Sequence, residues 1–197
     1  HTQKLPVGHF VSIIIFSGHR EVYPILLNTK LESEASRVTL VAGLKSNARA
    51  LGLTNFSTPL NMVLERVVNA VSDHSIDVFM FTDGCPTDEG EVPIFAVLKA
   101  LKGRVKSMVF FGYGPYCNDI LLSRMAVAVN GIFKRSFDLE DLSNAFKEAQ
   151  DAAEQTGDQI AIMVDDFDVA FSIVGAGEIQ QYGHEDDDTT VLFNPVA

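Results

Sequence analysis

Apolar positions along this chain follow two different rhythms. Short, almost continuous apolar runs that are rich in β-branched residues predict buried strands, whereas apolar residues recurring every three or four positions predict helices. The predicted buried strands are 11–16, 76–81 and 105–111, and 132–137 is predicted to be a short strand. The predicted helices are 38–50, 60–71, 94–101, 121–129 and 138–149, the last with Asp138 as its N-cap.

The alternation of these two rhythms predicts an α/β fold. Nearly continuous apolar strands separated by helices are typical of a mostly parallel, Rossmann-like sheet with helices on both faces. Residues 21–27 are a predicted edge strand, because Pro24 cannot donate a backbone hydrogen bond. Ligands of such sheets bind beyond the carboxyl ends of the strands, which is where Asp83 follows the run at 76–81.

The C-terminal part of the chain has a different composition. Residues 160–164, 169–174 and 190–193 look like strands with no helical pattern between them. The chain has a net charge of −11, and residues 158–197 contain nine of its 26 acids but none of its 15 Lys and Arg. We therefore expect an α/β domain at 1–156 and a small acidic β-rich extension at 157–197. Neither part has the clustered cations of a nucleic-acid-binding surface.

Composition also indicates the setting of the protein. No apolar run approaches the roughly 20 residues needed to span a membrane, and no signal-peptide pattern is visible. Cys85 and Cys117 are far apart in sequence and outside any CxxC pair, so we expect free thiols in a reducing compartment, the cytoplasm. Cys85 is expected to be inert, because no histidine is placed in the sequence to activate it.

Two loops at the predicted ligand-binding edge carry hydroxyl and carboxylate groups. The loop 52–60 leads into a predicted helix, and the loop 81–88 follows a predicted strand. Their candidate ligands are Thr54, Ser57, Thr58 and Asp83. Such hard oxygen donors suit Mg²⁺, Mn²⁺ or Ca²⁺ better than zinc. The simpler interpretation is a tight turn at Asp83 and helix capping by the hydroxyls, with Asp88 and Glu89 as solvated loop acids.

The order of these two loops resembles that in the von Willebrand factor A family. Residues 52–60 (Gly-Leu-Thr-Asn-Phe-Ser-Thr-Pro-Leu), followed by Phe-Thr-Asp-Gly at 81–84, resemble the second and third motifs of the family. Residues 11–16 resemble its second strand. The form Thr-Asp-Gly-Cys-Pro-Thr-Asp at 82–88 is similar to that of intracellular bacterial and phage members. The resemblance extends over 7–155, and it implies a Rossmann-like fold.

The resemblance also implies a function. Members of the family hold a divalent cation in a metal-ion-dependent adhesion site and use it to bind a carboxylate of a partner protein, without catalysis. Thr54 would contact the metal directly or through water, and Asp83 would bind it through water or as an outer ligand. Ser57 and Thr58 would replace Thr54 if the loop is shifted. The implied cofactor is Mg²⁺, or else Mn²⁺ or Ca²⁺, and the implied partner is another protein rather than a nucleic acid or a membrane.

The chain departs from the family in one motif. The family's first motif, Asp-x-Ser-x-Ser at the end of its first strand, supplies the main metal ligands and has no match in this sequence. We therefore expect the first strand and helix to be absent or replaced by another segment. Residues 160–164, followed by Asp165, Asp166 and Asp168, are the candidate for a displaced first strand in a permuted domain. The alternative is a plain acidic β-turn.

Two other functions remain open. An A-type fold with a degenerate metal site could be a structural protein in an assembly, such as a phage particle or a secretion or chaperone complex. Asp166 and Asp168 after an apolar run also resemble the nucleophile motif of haloacid-dehalogenase-type phosphatases. A phosphohydrolase that uses these two carboxylates is therefore a third interpretation.

Overall fold

The computed structural model describes residues 10–33, 35, 53–70, 76–87, 89–154 and 159–164. Strands and helices alternate through most of this part of the chain. The elements in chain order are β1 Phe10–Phe16, β2 Val22–Lys30, α1 Ser57–Met62 with a π-helical continuation Val63–Val68, β3 Ile76–Thr82, α2 Glu91–Leu101, β4 Ser107–Tyr113, α3 Asp119–Val129, β5 Ile132–Ser136, α4 Leu139–Glu154 and β6 Gln159–Val164. The predicted helix at 38–50 and the predicted strands at 169–174 and 190–193 lie outside the described residues.

The strands form one six-stranded sheet in the order β2-β1-β6-β3-β4-β5. All neighbouring pairs are parallel except β1 with β2, which confirms the prediction of an α/β fold with a mostly parallel sheet. β2 lies at one edge and places Pro24 opposite Ile14, where the register is irregular, so the prediction of an edge strand is also confirmed.

The position of β6 corrects one expectation. The sequence placed its residues in a C-terminal appendage, but β6 lies inside the sheet, between β1 and β3 and parallel to both. Val164 pairs with Ile15 on one side and with Phe81 on the other. Residues 160–164 are all buried, because a strand with neighbours on both sides and helices above and below has no contact with water. The division of the chain beyond Val164 remains a prediction.

Helices cover both faces of the sheet. On one face, α1, α2 and α3 pack against side chains such as Phe16, Val78 and Met80. On the other face, α4 inserts Leu142 and Phe146 against the alternate residues of the same strands. This division follows from the period of two along a strand, which sends successive side chains to opposite faces.

Local chemistry explains where the helices begin and end. Asn118 accepts a hydrogen bond from the backbone N–H of Leu121 at the start of α3. At the start of α4, Asp138 accepts one from the backbone N–H of Asp141, so Asp138 is the N-cap that the sequence predicted. α1 begins earlier than predicted and widens into a π-helix, in which Asn69 donates to the carbonyl of Leu64. Within the part of the chain that the structure describes, no helix has the length and apolar character needed to cross a membrane.

Candidate functional site

The carboxyl ends of β1, β3, β4 and β6 meet at one edge of the sheet, called the rim below. Because these strands are parallel, the residues that follow them come together there. Ser17 follows β1, Asp83 follows β3, and Gly114 follows β4. A Cβ placed on Gly114 would lie 4.0 Å from the Cβ of Asp83, so the turns after β3 and β4 are in contact.

The threonine loop before α1 and the aspartate loop after β3 are bound to each other at the rim. The backbone N–H of Thr54 donates to the hydroxyl of Thr87 over 3.0 Å, and the N–H of Thr87 donates to the carbonyl of Thr54 over 2.9 Å. The hydroxyl oxygen of Thr54 is 2.8 Å from the position that a Cβ on Gly84 would occupy. A side chain at position 84 would therefore push the Thr54 hydroxyl out of this place, and the structure brings the two loops together as the sequence predicted.

The threonine loop is also attached to the end of β1. The N–H of Asn55 donates to the carbonyl of Ser17 over 2.7 Å, and the hydroxyl of Ser17 donates to the carbonyl of Leu53. Ser17 and Asn55 are both buried, so these bonds are shielded from water. Thr54 is therefore held between the end of β1 and the loop that carries Asp83.

Two side chains cap the start of α1. Asn55 Oδ1 accepts from the N–H of Thr58 at 2.9 Å and from the hydroxyl of Ser57 at 3.3 Å. Glu89, from the aspartate loop, accepts from the N–H of Phe56 and, over 3.0 Å, from the N–H of Ser57. The carboxylate also lies where the partial positive charge of a helix N-terminus favours an anion. The aspartate loop therefore covers the first turn of α1, the helix that follows the threonine loop.

The substitute ligands proposed for Thr54 have other contacts. The hydroxyl of Ser57 is turned toward Asn55, and the hydroxyl of Thr58 lies 3.2 Å from Nδ1 of His19. Both residues belong to the first turn of α1, where capping was the simpler interpretation. The backbone of Thr54 is hydrogen-bonded to Thr87. The hydroxyl of Thr54 lies against Gly84, the residue after Asp83.

The electrostatic state of Asp83 reflects its place between loops. Desolvation by the surrounding loops raises the pKa of its carboxyl above the usual value of 3.8, and a hydrogen bond from its own backbone N–H partly opposes this. The raised pKa means that the ionised form is less stable here than in water. Folding is therefore favoured when Asp83 is protonated, and this contribution is lost as pH rises through its pKa. A cation at the rim would offset the desolvation.

A cationic side chain borders the rim on the side of β4. Arg135, at the end of β5, donates through Nη2 to the carbonyl of Gly114, and its Nε lies 3.2 Å from Asp119 Oδ1. Its guanidinium also lies over the ring of Phe137, 5.1 Å from the centroid. Arg135 thus fixes the turn that contacts Asp83, and its charge is already shared with Asp119.

Comparison with known proteins gives no family for this chain. No protein-family model and no curated protein matches it. What the rim can do must therefore be judged from its own groups.

The rim suits a hard cation better than a soft one. Thr54 offers a hydroxyl oxygen and Asp83 a carboxylate, both on loops held in place by hydrogen bonds. Among the residues that the structure describes, no group of three or more His, Cys, Asp or Glu could hold a metal ion. Thr54 and Asp83 alone are fewer donors than the six or more ligands of a typical hard-cation site. The other candidates, Asp165, Asp166 and Asp168, lie outside the described residues.

Three residues of this site were not singled out by the sequence. Asn55 had a usable signal, because the side-chain oxygen of an asparagine just before a helix commonly accepts a hydrogen bond from a backbone N–H of the first turn. Thr87 and Glu89 had none, since their partners lie more than thirty residues away and only the fold brings them together. The expectation that Glu89 is a solvated loop acid is wrong, because it binds two backbone N–H groups of α1.

The cap formed by Glu89 is expected to matter for stability. Glu89→Ala leaves the N–H groups of Phe56 and Ser57 without their acceptor, which should lower the free energy of unfolding by about 2 kcal/mol. Urea denaturation measures the change. Glu89→Gln keeps one acceptor oxygen and should lose about half as much. Glu65→Ala, an exposed change in the same helical segment, is the control, and equal losses in both alanine variants would contradict the cap.

Proposed function

We propose that this chain is a non-enzymatic binding module of the von Willebrand factor A type. Thr54 and Asp83 would contribute oxygen ligands to a divalent cation, most simply Mg²⁺, and a partner protein would bind there through a carboxylate. The observation that carries the proposal is the contact between the two loops: the Thr54 hydroxyl lies 2.8 Å from the Cβ position of Gly84, next to Asp83. Two motifs that resemble the family in sequence thus meet at the rim.

The place of β6 supports the same proposal. A strand that supplies metal ligands from its carboxyl end must end at the rim, beside the strand that carries Asp83. β6 ends there at Val164, which pairs with Ile15 of β1 and Phe81 of β3. In the sequence the next residues are acidic, namely Asp165, Asp166 and Asp168. β6 therefore suits the part of a displaced first strand, with these carboxylates in place of the missing first motif.

The chemistry of such a site needs no nucleophile and no general base. Thr54, Asp83 and the carboxylates after β6 would leave the remaining positions around the cation to water, and a carboxylate from a partner can replace one of these waters. The cation supplies the positive charge that binds the partner. The chain itself supplies position, because Thr87, Ser17 and Glu89 hold the loop of Thr54 in place through hydrogen bonds.

A second candidate function is a structural role with a degenerate metal site. The observation that favours it is the small number of metal-ligand donors in the described part of the chain. Thr54 and Asp83 are two residues, whereas a typical hard-cation site has six or more ligands. In that case the hydrogen bonds between the loops would serve stability alone, and the chain would pack into an assembly without a bound cation.

Metal-dependent stability separates these two candidates. Melting of the purified chain would be followed while Mg²⁺, Mn²⁺ and Ca²⁺ are titrated in turn. We expect the unmodified chain to be stabilised, by about 2.7 kcal/mol when the cation is at a hundred times its dissociation constant. Asp83→Asn and Thr54→Val should each weaken or remove the response, because the first removes the negative charge of the carboxylate and the second removes the hydroxyl oxygen.

The control is Asp151→Asn, which makes the same chemical change at an exposed position of α4. This variant should respond to the cation as the unmodified chain does. If the unmodified chain shows no response to any of the three cations, the adhesion-site proposal is wrong and the structural role stands. A response that persists in Asp83→Asn would place the cation away from the rim.

A further inference from the structure

The two cysteines of the chain lie close together at the rim, although 32 positions separate them in sequence. Cys85 follows Asp83 by two residues and is exposed. Its Sγ is 3.1 Å from the carbonyl oxygen of Tyr116, the residue before Cys117. Standard backbone dimensions then put the Cα of Cys117 within about 6 Å of the Cys85 sulfur. Cα atoms of disulfide-bonded cysteines lie about 4.4–6.8 Å apart, so this contact puts the two residues in the neighbourhood that such a bond requires.

The surroundings of Cys117 differ from those of Cys85. Cys117 is partly buried, and its thiol donates to Asp119 Oδ1 over 2.8 Å. Burial and this hydrogen bond raise the pKa of Cys117 to about 12, and Cys85 is near enough to add to the rise. The exposed thiol is therefore the one that an oxidant in solution reaches first, while the thiol of Cys117 stays protonated and donates to Asp119.

We propose that Cys85 and Cys117 are a dithiol site that a peroxide converts into an intramolecular disulfide. The Cys85 thiol gives its proton to solvent, and the thiolate sulfur attacks one peroxide oxygen. The O–O bond breaks, Cys85 becomes a sulfenic acid, and, when the oxidant is hydrogen peroxide, the departing hydroxide takes up a proton and leaves as water. Cys117 then attacks the Cys85 sulfur. The S–S bond forms, and the sulfenic oxygen leaves as water together with the proton that the Cys117 thiol releases.

This step changes the expectation for Cys85 taken from sequence. An inert thiol was expected because no histidine was placed to activate it, but the fold provides a second thiol instead. The disulfide would tie the loop that carries Asp83 to the turn after β4. To form it, the side chain of Cys117 must leave Asp119 and turn toward Cys85. The proposal does not depend on the cation, so it can fail or succeed independently of the proposed function.

The test is peptide mapping after oxidation. The reduced chain, in buffer with a chelator, would be treated with a small excess of hydrogen peroxide, alkylated and digested with trypsin. Cleavage after Arg66, Lys99, Lys106 and Arg124 places the two cysteines on separate peptides, 67–99 and 107–124. We expect these peptides to be joined by a disulfide in monomeric protein, with a fall from two free thiols to none and full recovery on reduction.

Two variants check the order of the steps. In Cys117→Ser, a sulfenic acid should accumulate on Cys85 and be trapped by dimedone. In Cys85→Ser, Cys117 should stay reduced under the same treatment. The unmodified chain decides the matter even if a variant fails to fold. Two thiols that remain free, a disulfide found solely between chains, or an oxidised Cys85 with Cys117 still reduced would overturn the proposal.

Discussion

Ile162→Asp is expected to abolish the cooperative unfolding transition of this protein. Ile162 is 1% exposed and lies in β6, where it pairs with Ile13 on one side and Phe79 on the other. An aspartate there has no partner for its charge and no water around it. The cost of burying that charge approaches or exceeds the 5–15 kcal/mol by which a typical domain is stable, so the native state would not be populated.

Circular dichroism and urea denaturation would measure this effect. The matched control is Val127→Asp, the same kind of change at a position of α3 that is 75% exposed, which should cost less than about 1 kcal/mol. A variant Ile162→Asp that unfolds as cooperatively as the control variant would show that β6 does not lie in the sheet. The support that β6 gives to the proposed function would then be lost as well.

Phe146→Ala is expected to have the next largest effect, a loss of roughly 3–5 kcal/mol in the free energy of unfolding. Phe146 is fully buried and attaches α4 to the sheet. Its ring meets those of Phe79 and Phe81 edge to face, with centroids 5.4 and 5.5 Å away. Truncation to alanine removes these ring contacts and leaves a cavity that the rigid strands cannot close.

Urea denaturation would measure this loss. The slope of the unfolding free energy against urea concentration should stay unchanged. Phe137→Ala is the control, because its ring is 75% exposed and makes one contact with a cation, Arg135. It should cost no more than about 1 kcal/mol. If the two alanine variants were destabilised equally, α4 would not pack on this face of the sheet in solution.

The strands could be predicted from the sequence because each is a local pattern. The runs that became β1, β3 and β4 are apolar at nearly every position, as expected for strands that are covered on both faces. The order of the strands could not be predicted in the same way. β6 is as apolar as these strands, but it pairs with residues about 80 and 150 positions earlier, and its own six residues do not say which strands lie beside it.

The same limit applies to the candidate site. That Thr54 and Asp83 would meet followed from the direction of the strands, since the carboxyl ends of parallel strands share one edge of a sheet. The hydrogen bonds of Glu89 and Thr87 could not be predicted in this way. The residues around them in the sequence do not show that the fold brings the start of α1 and its preceding loop next to them. Long-range contacts of this kind are a property of the fold alone.

The insertion of β6 between β1 and β3 has a consequence for how the chain acquires its fold. On a ribosome, the five strands that the structure describes before β6 emerge before the strand that must join them. Until then β1 and β3 each present a row of unpaired backbone groups to the cell, a form that favours aggregation. Such late, non-local pairing also slows folding. Nascent chains that stop short of Val164 are therefore expected to depend on chaperones, and full cooperativity should arise only when β6 has been made.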